Sequence, residues 1–253
     1  MLPFINVFDR AISMYWLSAA VGIILACGLA LLRAKSGRFR VSVKDVFITF
    51  LFVIAGARIG GILFKVVGHI FLYANTPDFW TAENWMMLLR SGGVLYGGII
   101  CGFLAGLVYV RKRKIDFRDI TDIIVPSVAL FLVFGRLGCF FAGCCYGRAS
   151  AWGITMPNGM TLLPVQLVEA GFNLVLLIEM LRLRPERERP GVLLPVYLVA
   201  YAIGRFLIEF MRGDANRGVY LLSTSQWISL LLLLALAFTF WVKRKKRVKP
   251  KEN

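Results

Sequence analysis

Charge is scarce in this chain. Only 17% of its 253 residues are Asp, Glu, Lys or Arg, against about 25% in an ordinary soluble domain. Acidic residues are the scarcest, 14 against 30 Lys and Arg, and histidine occurs once, as His69. Hydrophobic residues make up 58% of the sequence, with a mean hydropathy of +0.72 and an isoelectric point near 10.1. A chain this apolar and this basic is not disordered, not a collagen-like fibre and not a disulfide-stapled mini-protein. Its formal charge of +16 does not mark a nucleic-acid partner, because too little polar sequence is present to build a solvated basic face. Repeats and a separate soluble domain are also absent. What remains is an integral membrane protein.

A helix needs about 20 mostly apolar residues to cross a bilayer core of roughly 30 Å. Seven stretches qualify, at 12–32, 46–67, 91–110, 120–145, 162–181, 191–211 and 225–242. The fourth carries Pro126 near its start, which places part of it at the interface. The first is too long for a signal-peptide core and lacks a convincing cleavage site, so it is expected to remain. Abundant glycine, 24 residues, suits close helix contacts in lipid. The expected fold is all-α: one seven-helix membrane domain over 1–242 and a basic tail over 243–253. Loop charge orients it. Arg33, Lys35, Arg38, Arg40 and Lys44 follow the first segment; Arg111, Lys112, Arg113, Lys114 and Arg118 follow the third; Arg182, Arg184, Arg187 and Arg189 follow the fifth; and the tail from Lys243 is basic. The opposite side holds only Arg10, Arg90, Arg148, Arg212 and Arg217. The positive-inside rule then puts the N-terminus outside and the C-terminus in the cytoplasm. The tail is expected to be disordered and to touch anionic lipid.

Within the segments, charge needs an explanation. An ion at the centre of a membrane helix costs roughly 2.5–3.5 kcal/mol, so Arg58, Arg136, Glu169 and Arg205 facing lipid would cost about 10 kcal/mol together. They are expected to face the bundle interior. With the orientation above, Arg58, Arg136, Gln166, Glu169, Arg205, Glu209, Tyr15 and Tyr96 all fall near one level in the outer half. Tyr197, Tyr201, Arg205 and Glu209 recur every four residues and form one stripe, and Gln166, Glu169 and Asn173 share a helix face. Three arginines against two carboxylates leave a cationic surplus. An outward-facing cation suits an anionic partner, and guanidinium binds phosphate bidentately, so a phospholipid headgroup is the expected ligand. Pairing that merely holds helices together is the alternative.

The run Gly135-Arg136-Leu137-Gly138-Cys139-Phe140-Phe141-Ala142-Gly143-Cys144-Cys145-Tyr146-Gly147-Arg148 resembles the signature of the prolipoprotein diacylglyceryl transferase family, G-R-x-G-N-F-x-N-G-E-x-x-G. Four further stretches match in the family's order: Ser91 to Gly98, Pro164 to Glu169, Tyr201 to Asp214, and Ser225 to Ser229. The resemblance implies a multi-pass enzyme of the bacterial cytoplasmic (inner) membrane. It implies transfer of the sn-1,2-diacylglyceryl group from phosphatidylglycerol to the lipobox cysteine thiol of a prolipoprotein, with glycerol 1-phosphate leaving. Arg136, Arg205, Glu169, Glu209 and Tyr96 are the expected catalytic residues. Arg58, Tyr15, Tyr201, Gly97, Gly98, Cys139, Gly147 and again Arg136 are the expected substrate-binding residues. No cofactor is expected.

The chain departs from the family pattern at several positions. Tyr96 stands where the family has His before Gly-Gly, Cys139 where it has Asn, Cys144 at its acidic position, and Val168 where a Tyr follows Gln-Leu. His69 is expected in the loop after the second segment, at the interface. Trp80 and Trp85 in the outward loop 68–90 suit the interface or the approach of substrate. Cys27 and Cys101 read as packing residues. Cys139, Cys144 and Cys145 read as packing, a disulfide or a reactive thiol. Cys-x4-Cys-Cys lacks the usual zinc spacing and has no histidine near it, so no metal is expected. Two other readings stay open: a paralogue or inactive homologue that binds anionic phospholipid or uses another acceptor, and an anion transporter. The inner half lacks the polar groups that a transport path requires.

Overall fold

The structure, a computed structural model, describes residues 4–7, 10–73, 81, 83, 85–86, 95–155, 159–183, 190–213, 218–219 and 221–248. Its long helices are α1 (Met14–Lys35), α2 (Val43–Tyr73), α3 (Leu95–Lys112), α4 (Phe117–Ala142), α5 (Val165–Arg182), α6 (Leu193–Glu209) and α7 (Thr224–Val248). Each expected apolar segment falls on one of them, with shifted ends. Four stretches are long and apolar enough to cross a membrane: Met14–Lys35, Val43–Phe71, Phe117–Ala142 and Thr224–Val242. Polar groups explain part of the difference from seven, since α5 carries Gln166, Glu169, Asn173 and Glu179. The 17 residues of α6 are also at the short limit for a span. Large apolar side chains such as Ile24, Leu32, Ile59 and Leu234 are exposed, as helices surrounded by lipid require.

The structure corrects several expectations. Pro126 lies inside α4, one continuous helix of 26 residues, which leaves the expected interfacial position of its start untouched. His69 sits in the last turns of α2 rather than in a loop, with its ring edge-on to Trp85 at 5.7 Å. Helix α7 continues to Val248, so residues 243–248 of the tail are helical where disorder was expected, and 249–253 lie outside the described residues. Trp80 and Arg184, Arg187, Arg189 and Arg217 lie outside the described residues. Three short antiparallel pairs accompany the helices: β1 (Phe4–Val7) with β2 (Arg10–Ser13) before α1, β3 (Ala149–Thr155) with β4 (Thr161–Leu162) between α4 and α5, and β5 (Gly218–Val219) with β6 (Leu222–Ser223) between α6 and α7. The all-α reading missed these hairpins because strands of two to seven residues carry almost no periodic signal.

The chain forms two compact units, residues 33–120 and residues 1–32 with 121–253. In the first, α2 and α3 pack closely along glycine. A Cβ on Gly56 would meet Cys101 O at 2.7 Å, one on Gly97 would meet Gly60 O at 2.6 Å, and one on Gly102 would meet Val53 O at 3.0 Å. Small residues at such a seam let the backbones approach, which is how helices gain van der Waals contact where lipid removes the hydrophobic drive. At one end of this unit, Asp45 accepts a hydrogen bond from Tyr109 Oη at 2.8 Å and pairs with Arg113 at 3.4 Å.

The second unit has a continuous core of Val125, Ala129, Leu176, Leu177, Met180, Leu193 and Tyr197, drawn from α4, α5 and α6. Helix α1 is fixed to α4 where Ser18 Oγ donates to Phe134 O at 2.7 Å. Asp122, fully buried on α4, accepts from the backbone N–H of Gly191 at 2.6 Å and of Leu193 at 2.9 Å. It thereby satisfies the donors at the start of α6 that helix geometry leaves unpaired.

Candidate active site

At one end of the second unit, the last turns of α4 and α6 meet the first turns of α5 and α7. Tight chain reversals make this possible. Helix α4 ends in a Schellman motif: Gly143 N–H bonds to Phe140 O and Cys144 N–H to Cys139 O, each at 3.2 Å, with Gly143 at φ +70°. Only glycine takes that left-handed position without a side-chain clash. Cys145 is also left-handed, at φ +62°. The chain then runs through Gly147, whose N–H bonds to Leu163 O at 2.8 Å and which bridges to Arg212. A Cβ on Gly147 would meet Val165 Cγ2 at 2.5 Å and Met211 O at 2.7 Å, so glycine is what lets these three segments lie side by side.

Glu169 is the hub of the site. Its side chain is 4% exposed, and it pairs with Arg136 through Nε at 2.5 Å, with Arg205, and with Arg212 at 3.4 Å. Arg205 also reaches Glu209 at 2.8 Å and Ser225 Oγ at 3.2 Å. Tyr197 and Tyr201 stack at 5.6 Å further along the same helix, so the expected four-residue stripe exists. Gln166, Glu169 and Asn173 are buried together on α5 as expected. Gln166 Nε2 donates to Cys144 O at 2.6 Å, tying the turn after α4 to α5.

The charge count in this cluster is uneven. Arg136, Arg205 and Arg212 face Glu169 and Glu209, three cations against two carboxylates, with the Cys145 thiol beside Arg212. An uncompensated charge in such a place is expensive unless a ligand neutralises it. Arg136 is the most accessible of the three, with its side chain 22% exposed against 13% for Arg205 and 2% for Arg212. It spends only Nε on Glu169, so its two terminal nitrogens make no hydrogen bond among the described residues. A narrow cleft with room for about one water molecule opens beside it, lined by Arg136, Glu169, Phe172, Asn173, Tyr201, Arg205 and Ile208. Two guanidinium groups line it.

The structure brings together Arg136, Arg205, Glu169, Glu209 and Tyr201 from the sequence-derived set. Tyr15, on α1, lies close enough to Arg136 and to the three neighbouring cysteines to interact electrostatically with them. Arg58, Gly97 and Gly98 belong to the other unit, where Gly97 and Gly98 sit at the α2–α3 seam and a Cβ on Gly98 would meet Ala57 O at 3.1 Å. The side chain of Tyr96 lies outside the described residues. Arg212 escaped the sequence reading. Its position just beyond the α6 stripe counted as a loop charge, yet it is buried against Glu169. The arginine-bearing match from Tyr201 to Asp214 was the signal that could have found it.

A second group adjoins the first. The thiols of Cys139, Cys144 and Cys145 all lie within 4.8 Å of one another, and none is in a disulfide. The Cys145 thiol is held below the usual range, first by a hydrogen bond with Cys139 and then by the Arg212 guanidinium, against the opposing effect of burial.

The sequence model of the prolipoprotein diacylglyceryl transferase family matches residues 3–242. A phosphatidylglycerol–prolipoprotein diacylglyceryl transferase of Clostridium tetani is 32% identical over 250 residues, covering 96% of this chain and 97% of its own. The protein named phosphatidylglycerol–prolipoprotein diacylglyceryl transferase 2 of Clostridium perfringens is 34% identical over 242 residues, or 90% of each chain. One from Halalkalibacterium halodurans is 29% identical over 248 residues, covering 92% of this chain and 84% of its own.

Proposed function

This chain belongs to the prolipoprotein diacylglyceryl transferase family, and from that premise we propose that it moves a diacylglyceryl group from phosphatidylglycerol to the lipobox cysteine of a prolipoprotein. The observation that carries this reading is the cationic surplus around Glu169, which opens onto a cleft beside Arg136 and Arg205. All seven helices span the bacterial cytoplasmic membrane, with the N-terminus outside. The cluster then faces the outer leaflet, where lipid and the lipoprotein's signal helix both arrive.

The reaction asks for little covalent machinery. The acceptor sulfur attacks the glyceryl carbon next to the phosphate; the C–S bond forms and the C–O bond breaks. Its electron pair goes to the phosphate oxygen, and glycerol 1-phosphate leaves. Arg136 and Arg205 hold the phosphate and neutralise the charge that grows on it, the strongest stabilisation such a site can offer a transition state. Glu169 and Glu209 fix both guanidinium planes so that no reorganisation is needed as the bond breaks. Tyr201 and Tyr15 supply hydroxyls near the headgroup. Cys139 and Gly147 complete the substrate contacts that the resemblance assigns within this unit; its assignments of Arg58, Tyr96, Gly97 and Gly98 fall in the other.

The test is incubation of purified protein with phosphatidylglycerol and a lipobox peptide, followed by mass spectrometry. A product heavier by one diacylglyceryl group, formed with the cysteine peptide and not with its serine counterpart, is the expected result. Bound phosphatidylglycerol without product would make the protein a lipid binder or an enzyme for another acceptor.

A further inference from the structure

Beyond the substrate contact that the resemblance assigns to Cys139, the three-thiol cluster has no role in the reaction described above, and that reaction has no base for the acceptor thiol. The single histidine, His69, is on α2 in the other unit. Cys139 lies three residues beyond Arg136 on α4, and the left-handed turn at Gly143 and Cys145 folds the next two cysteines back towards it. Three sulfurs within 4.8 Å of one another are close to what a thiophilic cation needs. With Zn–S bonds of about 2.3 Å, tetrahedral geometry sets sulfurs about 3.8 Å apart, within reach of small side-chain rotations. No fourth His, Cys or carboxylate joins the three among the described residues. A structural zinc site is closed by four protein ligands, whereas a site with three keeps a position open for chemistry.

We propose that Cys139, Cys144 and Cys145 bind one Zn2+ and that its open position takes the acceptor cysteine of the lipoprotein as a thiolate. The inference rests on the transferase reading and supplies its missing step. Zinc deprotonates a coordinating thiol outright, so no protein base is required. Three thiolates on Zn2+ carry one net negative charge, and a fourth makes two. Arg212, hydrogen-bonded to Cys145 and paired with Glu169, offsets that charge and links the zinc to the phosphate-binding arginines. In the step itself, the acceptor thiol gives its proton to water as its sulfur binds zinc. A lone pair on that sulfur forms the C–S bond as the glyceryl C–O bond breaks. The departing phosphate keeps the electron pair and takes up one proton from water, and the neutral thioether leaves the metal.

The experiment uses the full chain in detergent, with zinc and then cobalt as the probes. Bound zinc after dialysis is expected at about one per chain, the stoichiometry of a single three-thiolate site. Co2+ in its place should give an intense sulfur-to-metal charge-transfer band that shifts on adding a lipobox cysteine peptide and not a serine peptide. Cys139→Ser and Cys145→Ser should each lose the band, while Cys27→Ala, on α1, should keep it. Stripping zinc from the unmutated chain with a chelator should slow thioether formation about 100-fold or more, the scale of a lost proton acceptor, and zinc should restore it. Metal-free protein that forms thioether at the full rate would overturn the zinc site and leave the transferase reading standing. So would a chain that takes up neither zinc nor cobalt. Zinc bound at unit stoichiometry with no thioether product would overturn the transferase reading and the acceptor role with it.

Discussion

In residues 33–120 two helices meet along glycine; in the rest of the chain three helices meet around charge. The α2–α3 seam carries a polar contact at one end, Asp45 with Tyr109 and Arg113, and along its length Gly56, Gly60, Gly97 and Gly102 give the backbones their close approach. The α4–α5–α6 junction instead centres on one buried carboxylate with three arginines. A seam of the first kind tolerates little added volume and is indifferent to charge. The second is also tightly packed, since a Cβ on Gly204 would clash with the Phe172 ring, and it depends in addition on the charge at its centre.

The largest expected effect comes from Glu169→Gln. It leaves three arginines around a neutral amide, and breaking a buried ion pair costs about 3–5 kcal/mol. Both thioether formation and the thermal unfolding temperature in detergent should fall sharply, and a variant as stable as the original would show that Glu169 is not the hub. Arg136→Ala should abolish transfer while the chain stays folded, because Arg136 sits at the open side of the cluster. Arg136→Lys keeps the charge but loses the planar fork, so kcat/KM should fall about tenfold, or roughly 1.4 kcal/mol. Gly60→Leu overpacks the other unit and should cost about 1–3 kcal/mol. Hydrogen exchange should then quicken in α2 and α3 and not in α5 or α6; uniform quickening would erase the distinction between the units. Smallest is Asp122→Ala, which removes the acceptor for two backbone donors at the start of α6. A loss of about 0.5–2 kcal/mol is expected, with phosphatidylglycerol affinity unchanged.

Much of this architecture is legible in the sequence because apolar runs and four-residue stripes are local. The stripe of Tyr197, Tyr201, Arg205 and Glu209 needs only helical periodicity to be read, and the cost of charge in lipid says that Arg136 and Glu169 must find partners. Contacts set by chain reversals are not local. Arg212 lies past the last turn of α6 and reads as a loop cation until the Gly147 bridge carries it beside Glu169. Asp122 reads as a charge near the start of a segment, although its partners are backbone groups 69 and 71 residues away. The thiols of Cys139, Cys144 and Cys145 have no metal-like spacing, and it is two left-handed residues that bring them together.

The proposed chemistry turns on Arg136 as a phosphate-binding cation, and its own ion pair leaves that side chain partly exposed. Its role is tested most directly by the affinity of phosphatidylglycerol for the unmutated chain and for Arg136→Ala, measured in nanodiscs of uncharged lipid. Losing a charged hydrogen-bond donor of this kind costs about 1.5–3 kcal/mol, so binding should weaken by at least about tenfold. Equal affinity for the two proteins would contradict that role and return the arginine cluster to a purely structural one.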